Sequence, residues 1–128
     1  MTMLTNAKAF NGFSVGDLQE AKQFYGETLG LNVTEEMEGM VLGLHLAGGQ
    51  EVMIYAKPDH EPATYTTLNF KVDDIETTVK ELKEKGVTFE SYDSPDLKTD
   101  EDNISRGEGP VIAWFTDPAG NILSVIQE

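Results

Sequence analysis

The chain has no cysteine, only two histidines and one tryptophan, and nine lysines and arginines against 23 aspartates and glutamates. Without cysteine there is no disulfide framework and no thiolate metal centre. With so few basic residues, nucleic acid is not an expected partner, because neutralising phosphates needs clustered Lys and Arg. No apolar run approaches the roughly 20 residues that a spanning helix requires, so no membrane partner is expected. The first residues lack the charged-then-apolar order of a signal peptide, and a cytoplasmic location is the expectation. The two histidines leave little material for an imidazole-rich metal site.

What the sequence has is a net charge of −14 over 128 residues, with 39% hydrophobic content including six Phe and four Tyr. That hydrophobic share argues against disorder and supports one compact domain over residues 1–128. The acidity keeps the surface soluble, and it would also attract a cationic small molecule.

The chain is also written twice. Val15-Gly16-Asp17-Leu18 returns as Val72-Asp73-Asp74-Ile75, an offset of 57 (72 − 15). Gly48-Gly49-Gln50 before Glu51–Tyr55 returns as Ala119-Gly120-Asn121 before Ile122–Ile126, an offset of 71 (120 − 49). The first module covers about 1–60 and the second about 64–128. In each, an alternating run is followed by a capped helix: Asp17 with Glu20 as a capping box, then Asp74. Leu18, Ala21, Tyr25 and Leu29 form the first apolar stripe and Gly30 ends it. Ile75, Val79 and Leu82 form the second, and Gly86 ends it. Val33, Leu42–Leu46 and Val52–Ile54 read as three more strands, giving β-α-β-β-β. The second half repeats the order, with Val87 and Phe89 opening its second strand. A polar stretch at about 91–109 is the one clear difference. The fold class is α+β, with two βαβββ modules in tandem.

Side-chain alternation separates the faces of each strand. The helix-facing positions are Leu, Val and Phe. The opposite face collects Phe10, Ser14, His45, Met53, Tyr55, Thr67, Asn69, Lys71, Trp114 and Ser124. These ten are the candidate ligand-binding residues, since apolar walls with a few polar groups describe a pocket. His45 and Glu51 are candidate catalytic residues: antiparallel pairing puts His45 opposite Glu51 or Met53, and a His–Glu contact supplies a general base. An ordinary strand histidine is the plainer alternative. His60 reads as a solvated loop residue. Trp114 either stacks on a ligand or fills the core beside Phe89.

Taken together, Val15-x-Asp17-Leu18, Phe24-Tyr25 followed by Leu29-Gly30-Leu31, and Asp117-Pro118-Ala119-Gly120-Asn121-Ile122 resemble the vicinal oxygen chelate superfamily. That superfamily includes glyoxalase I, extradiol dioxygenases and bleomycin resistance proteins. The resemblance implies two curled mixed sheets, each an open cup-like half-barrel with one helix outside, and a homodimer. It also implies four metal-ligand positions, which fall on Phe10, Met53, Thr67 and Ser124. None is a credible ligand for Zn, Ni, Mn or Fe, which favour imidazole and carboxylate. The expectation is therefore no metal, no cofactor and a metal-free small-molecule binder of the antibiotic-sequestering kind, with a cationic or aromatic guest. The alternatives are a lyase, isomerase or dioxygenase-type enzyme using unusual metal ligands or a His45/Glu51 acid–base pair, and an interaction protein with a filled cup.

Overall fold

A computed structural model describes residues 4–107 and 109–128; Met1–Met3 and Glu108, the latter within the polar stretch, lie outside the described residues. The first module runs β1 (Asn11–Val15), α1 (Leu18–Gln23), β2 (Asn32–Glu36), β3 (Val41–His45) and β4 (Glu51–Ala56). The second runs β5 (Thr66–Lys71), α2 (Ile75–Glu84), β6 (Asp93–Ser94), β7 (Leu97–Lys98), β8 (Ile104–Ser105), β9 (Val111–Thr116) and β10 (Ile122–Gln127). Two four-stranded mixed sheets result, ordered β1-β4-β3-β2 and β5-β10-β9-β8. Neither closes into a barrel. In each, the first strand pairs in parallel with the last, so the helix between them crosses over one face.

Both sequence offsets reappear in the ladders. Gly12 pairs with Met53 and Asn69 with Ser124; Gly43 pairs with Met53 and Trp114 with Ser124. The first members differ by 57 (69 − 12) or 71 (114 − 43), and the last strands by 71 (124 − 53). The helix-facing residues are sealed: Val15, Leu42, Leu44, Val52 and Ile54 in one sheet, Leu68, Ala113, Phe115, Leu123 and Val125 in the other. Side chains of this size contribute about 1.5–3 kcal/mol each when fully buried. They join one cluster with Ala21, Tyr25, Ile75 and Val79 from the helices.

Three local features depart from the sequence reading. The first helix is cut short: Leu29 N–H bonds Phe24 C=O at 2.9 Å, so Phe24–Thr28 is a π turn. Asp17 caps α1 by accepting from the Gln19 and Glu20 N–H groups at 2.9 and 3.2 Å, without the return bond from Glu20 that would complete a box. Phe89 makes only an isolated bridge to Phe115, so the fourth strand of the second sheet is β8 instead. That strand comes from the polar stretch, which also holds the β6–β7 ribbon. Asp100 organises this segment, accepting from Asp102 N, Ile104 N and the Arg106 guanidinium.

Candidate functional site

Each sheet has a second face turned away from the helices, and in the first module it is concave. In the first module it carries Ser14 from β1, Thr34 and Glu36 from β2, Val41, Gly43 and His45 from β3, and Glu51, Met53 and Tyr55 from β4. Phe10, just before β1, stands at its edge and is 61% exposed. A cavity of about 220 Å³ opens here, lined by Phe10, Glu36, Met37, Val41, Gly43, Glu51, Val52 and Met53. All eight lining residues belong to the first module. Two larger depressions, of about 460 and 780 Å³, lie outside the cups along α2 and along α1 with β2. They are open and rimmed by charged side chains of the helices, so the cavity with Phe10 and Met53 in its wall is the better candidate.

The register settles His45: it lies opposite Glu51, with Nδ1 3.5 Å from Glu51 Oε1. Its other nitrogen, Nε2, lies 2.8 Å from Thr34 Oγ1. Thr34 donates to Glu36 Oε2 at 3.1 Å, and that oxygen is also 3.8 Å from His45 Nε2. With the Thr34 proton directed to Glu36, His45 Nε2 is the donor to Thr34. A polar line therefore crosses three strands as Glu36–Thr34–His45–Glu51. A histidine held between a hydroxyl and a carboxylate can accept or relay a proton. The parity rule that found His45 and Glu51 would also have found Thr34 and Glu36, because both sit opposite in phase to Val33.

Glu36 fills a space that exists because residue 43 is glycine. A Cβ there would run into Glu36 Oε2 and stand 3.1 Å from Thr34 Oγ1. The turn after Glu36 is held in left-handed backbone, with φ of 52° at Met37, 59° at Glu38 and 84° at Gly39. For the two non-glycine residues this costs roughly 1–2 kcal/mol each. Met37 reaches the cavity wall from that turn.

In the second module the corresponding face carries a large ring where the first has Gly43. Trp114 points away from the core, since its neighbours Ala113 and Phe115 are the buried ones. Its ring meets Tyr92 of the polar stretch edge-on, with centroids 5.3 Å apart. Ser124 is fully buried and donates to Asn69 Oδ1. Thr67 donates to Ile122 C=O at 3.0 Å. Lys71 is outside this group, exposed and paired with Glu128 at 3.2 Å.

Ser14 and His60 belong to the seam between the modules. Ser14 Oγ lies 2.7 Å from His60 Nδ1, and His60 Nε2 lies 3.1 Å from Ala119 C=O. His60 is thus half-buried and bonded on both ring nitrogens, not solvated, because it bridges β1 to the β9–β10 turn. Beside it, buried Asp117 accepts from Tyr25 Oη at 2.7 Å and from Asn121 N and Nδ2 at 2.8 and 3.1 Å. Burial, then the charge and hydrogen bond of Asp117, push the Tyr25 hydroxyl well above the ordinary phenol range.

The duplicated cups now have their comparison. The sequence model of the glyoxalase/bleomycin resistance protein/dioxygenase superfamily matches residues 9–125. The chain belongs to this superfamily. Among solved structures, a glyoxalase family protein from Enterococcus faecalis is 25% identical, with TM-score 0.64, covering 97% of this chain and 99% of that one. A glyoxalase family protein from Bacillus anthracis is 21% identical, with TM-score 0.67 and coverage of 98% and 99%. TnmS3, an antibiotic binding protein from Streptomyces sp. CB03234, is 24% identical, with TM-score 0.64 and coverage of 96% and 98%. No curated protein matches the chain.

The four positions that the resemblance assigns to metal ligands lie on both sheets. Phe10 and Met53 line the first cavity, while Thr67 and Ser124 are hydrogen-bonded within the second sheet. A phenyl ring, a thioether and two engaged hydroxyls do not fit a Zn, Ni, Mn or Fe centre. Among the described residues, no group of three or more His, Asp or Glu side chains is placed to hold a metal ion.

Proposed function

We propose that this protein binds a small molecule in the concave cavity of its first module, without the superfamily's metal ion and without breaking a bond in the guest. The observation that carries this reading is the pairing of Phe10 and Met53 at two metal positions, where they serve as apolar wall. The walls suit an aromatic or aliphatic body, and the −14 charge suits a cationic one. The likeness to TnmS3, titled an antibiotic binding protein, brings antibiotic sequestration forward as the biological setting. The whole chain would act as one domain in the cytoplasm, where a cysteine-free protein has nothing to lose to reduction. It would act as a homodimer. Phe10, Met37, Met40 and Tyr55 leave 61, 67, 69 and 38% of their surface exposed beside the cavity, more apolar rim than a lone chain needs.

Calorimetric titration with cationic aromatic compounds, bleomycin-like ones included, tests the reading on protein purified without chelator. Saturable binding unchanged by added chelator supports it. Stoichiometric bound metal that is lost on His45→Ala overturns it. Quenching of Trp114 in the same titration shows whether the second sheet takes part.

The contact between His45 and Glu51 at 3.5 Å favours one other reading, an acid–base enzyme that moves a proton on a bound substrate. Its mark would be turnover lost equally in His45→Ala and Glu51→Gln with binding retained.

A further inference from the structure

We propose that Glu36 is the specificity-determining residue of this cavity, selecting guests that carry a protonated amine. This rests on the first-module cavity being the binding site. The carboxylate lies over Gly43 in a space any side chain at 43 would take, so the glycine keeps a charge in the cavity lining. The duplicated module shows the alternative. Its counterpart of Gly43, shifted by 71 (114 − 43), is Trp114, whose indole stands edge-on to Tyr92. One module fills the position with a ring and the other leaves it to an anion.

That anion lacks a full counter-charge. Among the described residues no Lys or Arg pairs with Glu36; its neighbours are the Thr34 hydroxyl and His45. The lysine that reaches β2, Lys22, pairs with Glu35 at 3.3 Å on the helix side of the sheet. Glu51 adds a second carboxylate to the lining but is turned to His45. An ammonium group on Glu36 gains a charge-assisted hydrogen bond, while its apolar body meets Phe10, Val41 and Met53. A bare metal ion is the poorer guest, since those apolar residues offer it no further ligands.

The test pairs naphthylmethylamine with its neutral isostere naphthylmethanol, following amide shifts and affinity by NMR. The amine is expected to shift the Gly43 and Met53 amides and to bind about tenfold tighter than the alcohol. Glu36→Gln should remove that preference by weakening the amine towards the affinity of the alcohol, while Glu51→Gln changes the ratio less than about threefold. Gly43→Val, which evicts the carboxylate, should abolish the preference too. Equal binding of both probes to the unaltered protein, or a preference that survives Glu36→Gln, overturns the assignment of Glu36 and leaves the cavity reading standing. Shifts confined to residues outside the concave face overturn both.

Discussion

The two β-hairpin turns that close the modules share a backbone and differ in their work. Leu46 N–H bonds Gln50 C=O and Gly49 N–H bonds Leu46 C=O, at 2.9 and 3.2 Å. Asp117 N–H bonds Asn121 C=O and Gly120 N–H bonds Asp117 C=O, at 3.0 Å each. Gly49 and Gly120 sit at φ 86° and 87°. Yet the first turn lies in solvent, while the second carries the buried Asp117 and Asn121 that fasten β1 and Tyr25. The sheets diverge at matching positions: Gly43 leaves room for the Glu36 carboxylate, while Trp114 sets an indole against Tyr92. The second turn thus joins the modules, while the cavity lies in the first.

The sharpest way to break this comparison is Asp117→Ala. It strands the Tyr25 hydroxyl and two donors of Asn121 in a buried seam. Each lost partner costs about 1–3 kcal/mol, so a total on the order of 4 kcal/mol is expected in chemical denaturation. Leu46→Ala, the same position in the other copy, should cost markedly less because Leu46 is only partly buried.

Alkali offers a second probe of the seam. A hydroxyl whose pKa is raised on folding stabilises the protein below its unfolded value and loses that contribution as pH rises. Tyr25 is such a group. Stability should therefore fall above about pH 10, the unfolded phenol value. Tyr25→Phe should start from lower stability, since Asp117 loses its partner, and show a flatter alkaline limb. An equally steep limb in that variant would show that the Tyr25 proton is not what alkali attacks.

Much of this was legible from spacing alone. Offsets of 57 and 71 matched each strand to its counterpart in the other module, and parity sorted the core faces, since a slip of one would have turned Val52 and Ile54 out of the core. The pairing of His45 with Glu51 rather than Met53 came only from the ladder itself. What spacing missed depends on partners distant in the chain. Tyr25 finds Asp117 92 residues away, and His60 is drawn in by Ser14 and Ala119. The π turn puts Phe24 and Tyr25 side by side in the core, a departure from helical period that no i, i+4 pattern encodes. Glu36 was within reach of parity counted from Val33, but its place over Gly43 depends on how β2 pairs with β3. The division of the cups was also beyond reach, since whether Phe10 and Met53 share a cavity with Thr67 and Ser124 is a matter of how sheets pack.

The smallest expected effect separates the two turns by one methyl group. Gly49→Ala meets nothing within 4 Å and bears only the left-handed strain, about 1–2 kcal/mol. Gly120→Ala bears the same strain and also presses on Pro62, whose Cβ and Cγ stand 3.2 Å from the new atom. Pro62 belongs to the connection between the modules, close to His60, so this push falls on the seam. Gly120→Ala should thus exceed Gly49→Ala by about 1 kcal/mol in denaturation midpoint, and amide shifts in the variant should spread to residues 60–63. Equal costs would mean the connection yields freely, and that the seam is held by Asp117 and Tyr25 without help from the linker.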